Sequence, residues 1–472
     1  MRPAFLGLEV ALRALRANQL ALETTSHNIA NANTPGYSRQ EVEMAASRPY
    51  TIPTLAGYPF AGQVGTGVIA TAMRRYRDAF TDLQLRQEQR TLGMWNAIKD
   101  VVQQVELIFN EPSDSGLNKL LDQFWNTWQD LANEPQSSAV RASVRQQAAN
   151  LCTVLNHTYQ QLYDLQHNQD QQILTKIDEI NSIAQQIAAL NEEIQKVQVT
   201  GNRPNDLMDQ RDLLLDRLST IVNITYHEGD NGITNVFIGS MPLVYDLKAN
   251  SISAESQGGV LSLKWTSSGY DVEVTSGELK GILVSRDEVL GGKLEQLDRI
   301  AQALYTAVNS AHNAGYGLNG STGLDFFSDP TPGDAVSARD ITLSGEILDS
   351  LDNIAASSAA DTPGDGSNAA VIAALRWQQM AALDNTTING YYNGVITELG
   401  TYSKAAQDTC ANQELLVSHL RQQREALSGV SLDEEAANLI KYERAYQAAA
   451  RVMTTVDETL DRLINGTGRV GL

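Results

Sequence analysis

The sequence is poor in the residues that most often carry chemistry or cross-link small folds. Of its 472 residues, two are cysteine, six are histidine and 6% are aromatic. We interpret Cys152 and Cys410 as small apolar core residues, because each lies in a helical pattern. A disulfide between them stays open, since sequence alone cannot establish one.

Basic charge and long apolar runs are also scarce. The chain has 35 Lys plus Arg against 56 Asp plus Glu, a formal charge of −21. The negative electrostatic potential of such a charge opposes binding to nucleic acids and to anionic membranes. No stretch approaches the length of about 18 apolar residues that a membrane helix needs, and the amphipathic N-terminus does not have the pattern of a cleavable secretory signal. We therefore expect no nucleic-acid partner and no membrane insertion.

Recognisable catalytic and metal-binding motifs are missing as well. The sequence contains no His-Glu-x-x-His pair, no Gly-x-Ser-x-Gly elbow and no Walker loop. Its histidines are scattered, at positions 27, 157, 167, 227, 312 and 419. We therefore predict no catalytic residues, no metal site, no cofactor site and no enzymatic activity.

One group of carboxylates needs separate consideration. Asp206, Asp209, Asp212 and Asp216 recur every three or four residues in a predicted helix over 205–220. Paired carboxylates can serve acid–base or metal chemistry. Without a histidine beside them, we favour a solvated helix face, braced by pairs with Arg211 and Arg217 on neighbouring turns.

What the sequence does contain is helical periodicity at both ends. Ser431 and Glu434 fit a capping box that starts a C-terminal helix. Its apolar seam has the spacing of a coiled coil and consists of Leu432, Leu439, Tyr442, Tyr446, Ala449, Met453, Val456, Leu460 and Leu463. The first helix, predicted over 4–30, repeats with the same period through Leu8, Leu15, Leu22 and Ile29. We predict that these helices pair, and that polar Gln19 and Ser26 weaken the seam so that neighbouring subunits must add burial.

The middle of the chain predicts a long helical bundle interrupted by a small β segment. Helical patterns cover 79–109, 117–133 and 138–200, and return after 285, where Ser285 and Glu288 resemble another capping box. Alternating residues around turns at 229–232 and 267–269 predict two hairpins. Residues 37–72, rich in proline and glycine, predict an extended linker.

These patterns give a mainly α fold class with a small antiparallel β insertion and paired terminal coiled-coil helices. The predicted domains are a terminal coiled coil (1–40 plus 430–472), a helical bundle with the linker and a short β segment (41–220 plus 285–429), and an inserted β domain (221–284).

Two terminal motifs carry a family resemblance. The stretch from Ser26 to Arg39 contains the motif residues Asn28, Asn31, Asn33, Pro35, Gly36 and Tyr37, and it resembles the signature of bacterial flagellar rod, hook and hook-associated proteins. Residues 442–452 resemble the matching C-terminal segment of that family. The stretches 117–144, 204–219, 308–327 and 431–464 are similar to the hook-associated members, so the resemblance covers nearly the whole chain.

The resemblance implies a structural subunit that joins the flagellar hook to the filament and is exported by the flagellar type III apparatus. It implies four partners: other copies in a ring, the hook protein, the next hook-associated junction protein, and an export chaperone at the C-terminal region. The implied location is the extracellular flagellum. Another axial subunit, such as a hook or rod protein, is the alternative, but the bundle pattern over 79–200 favours the junction protein over a mainly β body.

The sequence departs from the family pattern in two places. Residues 465–472 extend beyond the usual end of the terminal helix, and the β insertion is short. The short insertion implies that an outermost domain of longer relatives is reduced or missing.

Overall fold

A computed structural model of the protein describes residues 6–49, 65–113, 116–229, 231–257, 260–328 and 336–466. The α-helices are α1 (Leu6–Ala30), α2 (Ala79–Phe109), α3 (Leu117–Asn133), α4 (Ser138–Gln198), α5 (Asn205–Ile221), α6 (Glu278–Val284), α7 (Gly291–Asn313), α8 (Gly345–Asp349), α9 (Ser367–Ala374), α10 (Ile388–Ser428) and α11 (Leu432–Asp461). The strands are β1 (Gln40–Ala46), β2 (Val68–Arg75), β3 (Ile224–Glu228), β4 (Thr234–Ile238), β5 (Met241–Tyr245), β6 (Lys248–Ala249), β7 (Ile252–Gln257), β8 (Val260–Trp265), β9 (Phe327–Ser328) and β10 (Thr342–Leu343). The predicted fold class, mainly α with a small antiparallel β insertion, is confirmed.

The first and last helices pair along their length, as predicted, and α1 packs on α11. The start of α11 follows only part of the predicted capping box. Ser431 is the N-cap and its hydroxyl accepts the Glu434 amide at 3.5 Å. The Glu434 carboxylate does not return to the cap, however, because it accepts from Arg39 at 3.0 Å.

The helical body is built on α4, which runs for 61 residues. Its first half packs with α2, α3, α7 and α10 around an aromatic cluster in which Phe124, Trp128 and Phe326 are each fully buried. The rings of Trp128 and Phe326 lie 5.2 Å apart. Aromatic side chains bury large apolar areas. Several of the few aromatic residues in the chain are concentrated in this core, where they contribute much of the buried apolar area.

The second half of α4 shares another core with α5 and the β segment. Strands β3, β4, β5 and β6 form an antiparallel sheet in that order, and Val236 and Val244 pack against the α4 isoleucines. The first predicted hairpin is β3–β4. The second predicted hairpin is present but short: beyond the turn at 267–269 the Trp265 amide donates to the Tyr270 carbonyl and the Val272 amide to the Leu263 carbonyl, each at 2.9 Å, around the Lys264–Asp271 bridge. Strand β8 also pairs along its length with β7, which the sequence did not predict.

Two expectations were wrong. The segment predicted as a linker contains the antiparallel pair β1–β2, which packs on α1; residues 50–64 lie outside the described part. Ser285 does not cap a helix. It is fully buried in a π-helical turn, Ser285–Leu290, that joins α6 to α7 without a break. The three-part domain division stays a prediction.

Cys152 and Cys410 are both buried free thiols. Desolvation raises the pKa of the Cys152 thiol to about 12, so it stays protonated in the core. Within the described ranges, no helix has the length and apolar composition needed to cross a membrane.

Candidate assembly site

The seam residues predicted on α11 lie, with one exception, on the covered side of that helix. Ala449 is buried, and the side chains from Leu439 to Leu460 in the predicted set are half-buried. Leu432 is an exception, because it is 53% exposed at the first turn of the helix. The side chain of Leu463 lies outside the described part. Among the described side chains of α11, only Ala449 and Glu435 are buried.

On α1 the most deeply covered face differs from the predicted one. The predicted residues Leu8, Leu15, Leu22 and Ile29 are all half-buried. The fully buried positions carry small or polar side chains: Ala11, Ala17, Ala21, Thr24, Thr25 and Asn28. Small residues let two helix backbones approach closely but contribute little apolar area. Gln19 and Ser26 are exposed, so the weak seam positions face solvent in a single chain.

Asn28 is the central residue of the motif at the end of α1. It is 1% exposed. Its amide group donates to the Gln40 carbonyl at 2.8 Å and to Glu435 at 3.1 Å. Its oxygen accepts from the Tyr37 hydroxyl at 2.8 Å and from the Gln40 amide at 3.0 Å. All four bonds are long-range or loop contacts, so Asn28 connects the end of α1 to β1 and to the start of α11.

The remaining motif residues divide into two groups. Asn31 caps its own helix by donating to the His27 carbonyl at 3.0 Å, while Asn33 and Pro35 are exposed. Gly36 has a positive φ of 81°, and a Cβ there would lie 3.1 Å from the Leu213 side chain of α5. A left-handed backbone and a close neighbour both require glycine at this position.

Three of the four aspartates of α5, Asp209, Asp212 and Asp216, are largely covered and ion-paired, so the interpretation as a solvated face was wrong for them, while the Asp206 side chain is 55% exposed. Asp209 is 4% exposed and accepts from the Ser38 amide and hydroxyl, each at 2.9 Å, and from Arg75 at 2.6 Å. Asp206 accepts from Gln40 at 2.7 Å. The carboxylates therefore reach the motif loop and the β1–β2 pair, rather than neighbouring turns of their own helix.

The other two aspartates connect α5 to the body. Asp212 contacts Arg75 at 3.0 Å, Arg77 at 2.9 Å and Arg86 at 3.5 Å. Asp216 contacts Arg86 and, on α10, Arg424, both at 2.6 Å. We call this set the joint network: Asp206, Asp209, Asp212, Asp216, Arg75, Arg77, Arg86 and Arg424.

The predicted braces face away from the joint network. Arg211 is 2% exposed and contacts Asn191 at 3.2 Å and Glu228 at 2.8 Å. Arg217 contacts Glu179 on α4 at 2.7 Å. Both arginines therefore fix α5 to α4 and the sheet.

Within the joint network, partners hold the charges of Asp212 and Arg77 against burial, whereas burial raises the pKa of the Asp209 carboxyl above its ordinary value. Burial alone would raise the pKa of the Asp212 carboxyl, but Arg77, Arg75 and Arg86 hold it below its ordinary value. Burial likewise opposes the charge on Arg77, yet Asp212 and Asp82 raise its pKa. Each charge is compensated by several partners, which is what a buried ion pair needs to be stable.

A second contact attaches α11 to this region. Glu435 is 2% exposed and accepts from Arg39 at 2.8 Å and from Asn28. The Arg39 amide also donates to the Ser428 carbonyl at the end of α10. These contacts connect the start of α11 to the motif loop and to the end of α10.

Sequence patterns missed most of the joint network. Arg75, Arg77 and Arg86 lie in one short stretch and Arg424 lies on α10. Both segments are more than a hundred residues from α5, so no local pattern links these arginines to the aspartates. The aspartate spacing on α5 was the available signal. Among the described residues, no cluster of three His, Cys, Asp or Glu side chains is arranged to hold a metal ion.

Three family models match the chain. "Flagellar hook-associated protein FlgK helical domain" matches residues 102–327, "Flagellar basal body rod FlgEFG protein C-terminal" matches 421–466, and "Flagella basal body rod protein" matches 8–37. The two rod models cover α1 with the motif loop and α11, and the helical model covers much of the body.

Curated relatives match over almost the full length. Flagellar hook-associated protein 1 of Bacillus subtilis is 32% identical, with 99% of each chain covered. The proteins of that name from Escherichia coli and Salmonella typhimurium are each 26% identical, with 96% of this chain and 98% of theirs covered. A solved structure of the flagellar hook junction protein FlgK from Burkholderia pseudomallei aligns with a TM-score of 0.66 at 16% identity, covering 73% of this chain and all of that one.

Proposed function

The chain belongs to the family of flagellar hook-associated protein 1, and from that premise we propose that it is the structural subunit that joins the flagellar hook to the filament. Copies of the chain form a ring. The α1–α11 pairs line the inner side of the ring, and the bodies lie outside them.

One observation supports this proposal most strongly: the terminal pair is long but poorly covered. The 30 residues of α11 leave all but two described side chains at least partly accessible. Ile440 and Val452, which lie outside the predicted seam, are 58% and 50% exposed. Helices in water owe most of their stability to tertiary packing. A pair with so little burial needs neighbouring subunits to cover it.

The joint network supports a role in which the orientation of the terminal helices relative to the body must stay fixed. A subunit between two polymers must hold its terminal pair at a fixed angle to its body while force passes through it. Buried ion pairs and hydrogen bonds have narrow geometric requirements, so the contacts of Asp209, Asp212 and Asn28 suit this task better than apolar packing would.

The partners follow from the position of the ring. The hook protein lies on one side and the next hook-associated junction protein on the other, while an export chaperone holds the C-terminal region before assembly. The chain leaves the cell through the flagellar type III apparatus and resides in the extracellular flagellum.

The proposed role is structural and not enzymatic. The relatives carry names of flagellar hook-associated and rod proteins. The alternative of a hook or rod subunit is disfavoured by the full-length match and by the helical body, since the rod models match only the two ends.

Deletion of the gene tests this function. We expect cells without the chain to make hooks that lack filaments and to release filament protein into the medium, with both defects reversed by the wild-type gene. Electron microscopy of hooks and immunoblots of the medium provide the measurements. Normal filaments in the deletion strain would refute the proposal, and missing hooks would indicate a hook or rod subunit instead.

A further inference from the structure

The apolar interior of the body is divided into two cores at one level. On α4 the first core, which contains the aromatic cluster, ends at Leu165, and the second core begins at Ile173. On the connection from α6 to α7, the last buried residue of the second core is Ile282 and the next one of the first core is Val289. On these two fully described segments, no buried apolar residue lies in between. The two cores are therefore separate along both segments.

Polar side chains fill the level between the two cores. Gln169 is the one buried residue of α4 between Leu165 and Ile173, at 1% exposed, and Ser285 of the π-helical turn is fully buried. The Gln169 Oε1 and the Ser285 Oγ have no hydrogen-bond partner within the described ranges. A buried polar atom without a partner weakens the packing around it. We call this set the polar layer: Gln166, Gln169, Asp170, Ser285 and Arg286.

Long side chains make the contacts within the polar layer. Arg286 is 4% exposed, and its guanidinium contacts Asp170 on α4 at 3.0 Å and the Leu261 carbonyl of β8 at 3.1 Å. The Gln166 side chain donates to the Arg286 carbonyl at 3.0 Å. Arginine and glutamine side chains have many rotamers, so these contacts persist when the helices shift slightly. The apolar cores on either side are close-packed and transmit a shift without deforming.

A hollow of about 380 Å³ opens at the polar layer, between α2, α4, α5 and α6. It reaches from Val101 of the first core to Ile282 of the second. Gln169 and Gln172 line it on α4, and its other polar lining residues are Asn96, Asp100, Gln104, Thr220 and Glu278. Such a hollow has the room and the polar partners for several water molecules. A shift of the helices at this level therefore changes the hydration of polar groups and leaves both apolar cores covered.

The backbone of the α6–α7 connection is adaptable at the same level. Its π-helical turn, Ser285–Leu290, interrupts the regular hydrogen-bond ladder of the helix. Turns of this kind are places at which helices bend. Gly291 and Gly292 follow directly, and glycine restricts the backbone least of all residues. The connection therefore changes direction most easily between the two cores.

We infer that the helical body consists of two blocks that bend against each other at the polar layer. The first block contains the aromatic core with α3, α7 and α9, and the second contains α5 and the four-stranded sheet. Because the aspartates of the joint network lie on α5, the terminal pair moves with the second block. Hinge movements between blocks of a protein take place in microseconds to milliseconds. The bending is a property of the isolated chain, so it is independent of the proposed function.

Distance measurements on the full chain test the bending directly. Nitroxide labels on cysteines introduced at Leu107 and Tyr270, which are 78% and 71% exposed, report on the first and the second block. The pair Leu107 and Val371 stays within the first block, and the pair Tyr245 and Tyr270 within the second. The two native cysteines are buried and do not take up label. We expect pulsed electron spin resonance to give a broader distance distribution for the Leu107–Tyr270 pair than for either pair within a block.

Joining the two cores should suppress the bending. Gln169→Leu replaces the buried amide with an apolar side chain at the position between the cores. Gln172→Leu makes the same change at an exposed position of α4 that lines the same hollow, and it is the matched control. We expect Gln169→Leu to narrow the Leu107–Tyr270 distribution to the width seen within a block, and Gln172→Leu to leave it unchanged. Circular dichroism of the labelled variants establishes that they are folded.

Two results would overturn the bending. The first is an equal width for all three labelled pairs, a comparison that needs no change at Gln169. The second is a Leu107–Tyr270 distribution that is equally broad in folded Gln169→Leu and Gln172→Leu. Either result leaves the proposed function standing if the deletion strain makes hooks without filaments. Normal filaments in that strain would refute the proposed function and leave the bending unaffected.

Discussion

The helical body and the terminal pair use opposite ways of holding helices together. In the body, Phe124, Trp128 and Phe326 are removed completely from water. In the terminal pair, α1 presents mainly alanine and threonine and α11 buries one alanine and one glutamate. Hydrophobic stabilisation scales with the apolar area buried. The body is therefore stable by itself, whereas the pair depends on the joint network and on whatever covers it in the assembly.

The largest effect is expected in the aromatic core. Phe326→Ala should lower the free energy of unfolding of the body by about 4 kcal/mol, because a large cavity replaces a ring that contacts Phe124 and Trp128. Urea unfolding followed by circular dichroism measures it. Phe80→Ala, at a site 65% exposed, is the matched control and should change stability by less than about 0.5 kcal/mol. Similar losses in the free energy of unfolding in the two variants would show that the stability of the body does not depend on its buried aromatic core.

A smaller effect is expected at the joint. Asp212→Ala removes the partner that Arg75, Arg77 and Arg86 share and should cost about 3 kcal/mol, since it leaves buried positive charges less compensated. The terminal helices should also become more sensitive to proteases. Asp206→Ala, where the carboxylate side chain is 55% exposed, should cost about 1 kcal/mol or less. Unchanged protease resistance of α1 and α11 in Asp212→Ala would refute the role of the joint.

Acid should weaken the body before it discharges Asp212. The Nδ1 of His312 lies 2.6 Å from the Leu324 carbonyl and its Nε2 lies 2.9 Å from the Ala355 amide. Because Nε2 accepts that amide, the ring is neutral and carries its proton on Nδ1. Burial lowers the pKa of His312 from 6.5 to about 4. A lowered pKa of a base gives stability that is complete above pH 6.5 and declines as the pH falls towards 4.

This histidine alone should remove about 2 kcal/mol of stability by pH 5. Unfolding curves between pH 7 and pH 4 measure the loss, with His312→Gln as the comparison variant. The variant should start less stable and lose less on acidification. An identical decline in both proteins would rule out His312 as the cause. The carboxyl of Asp212 has its pKa below the ordinary value, so its contribution persists to lower pH.

The smallest effect on the isolated chain, and the largest on assembly, is expected in the seam. Leu439→Asp and Met453→Asp lie at half-buried positions of α11, so we expect less than about 0.5 kcal/mol change in unfolding of the body. We also expect loss of filament attachment, because a charge enters the surface that neighbouring copies must cover. Leu415→Asp, at a site 71% exposed on α10 of the body and outside the seam, is the control. Full motility of the Met453→Asp strain would exclude the seam from assembly.

A further test addresses the terminal pair before assembly. With so little burial, α1 and α11 should be cleaved by a low concentration of protease in the free chain and be protected in isolated flagella. Mass spectrometry of the fragments identifies the sites. Equal resistance of the ends and the body in the free chain would show that the pair needs no neighbours.

Periodicity predicted the helices well because their cause is local. The repeats of α4, α10 and α11 follow from side chains three and four residues apart on one helix face. The β1–β2 pair was missed because proline and glycine dominate the surrounding segment. The continuous helix through Ser285 was missed because its sequence fits a cap, while buried neighbours keep it helical through a π turn.

The sequence by itself determined the helical architecture, the presence of matching terminal helices and the family, since all three are present in local patterns and motifs. The tertiary structure decided what the charged residues do. Asp209 is part of a helix face in the sequence and becomes a buried ion-pair partner only when Arg75 and Ser38 fold against it. The reason is physical: the energy of a charge depends on its burial and its partners, and these are set by contacts between segments more than a hundred residues apart.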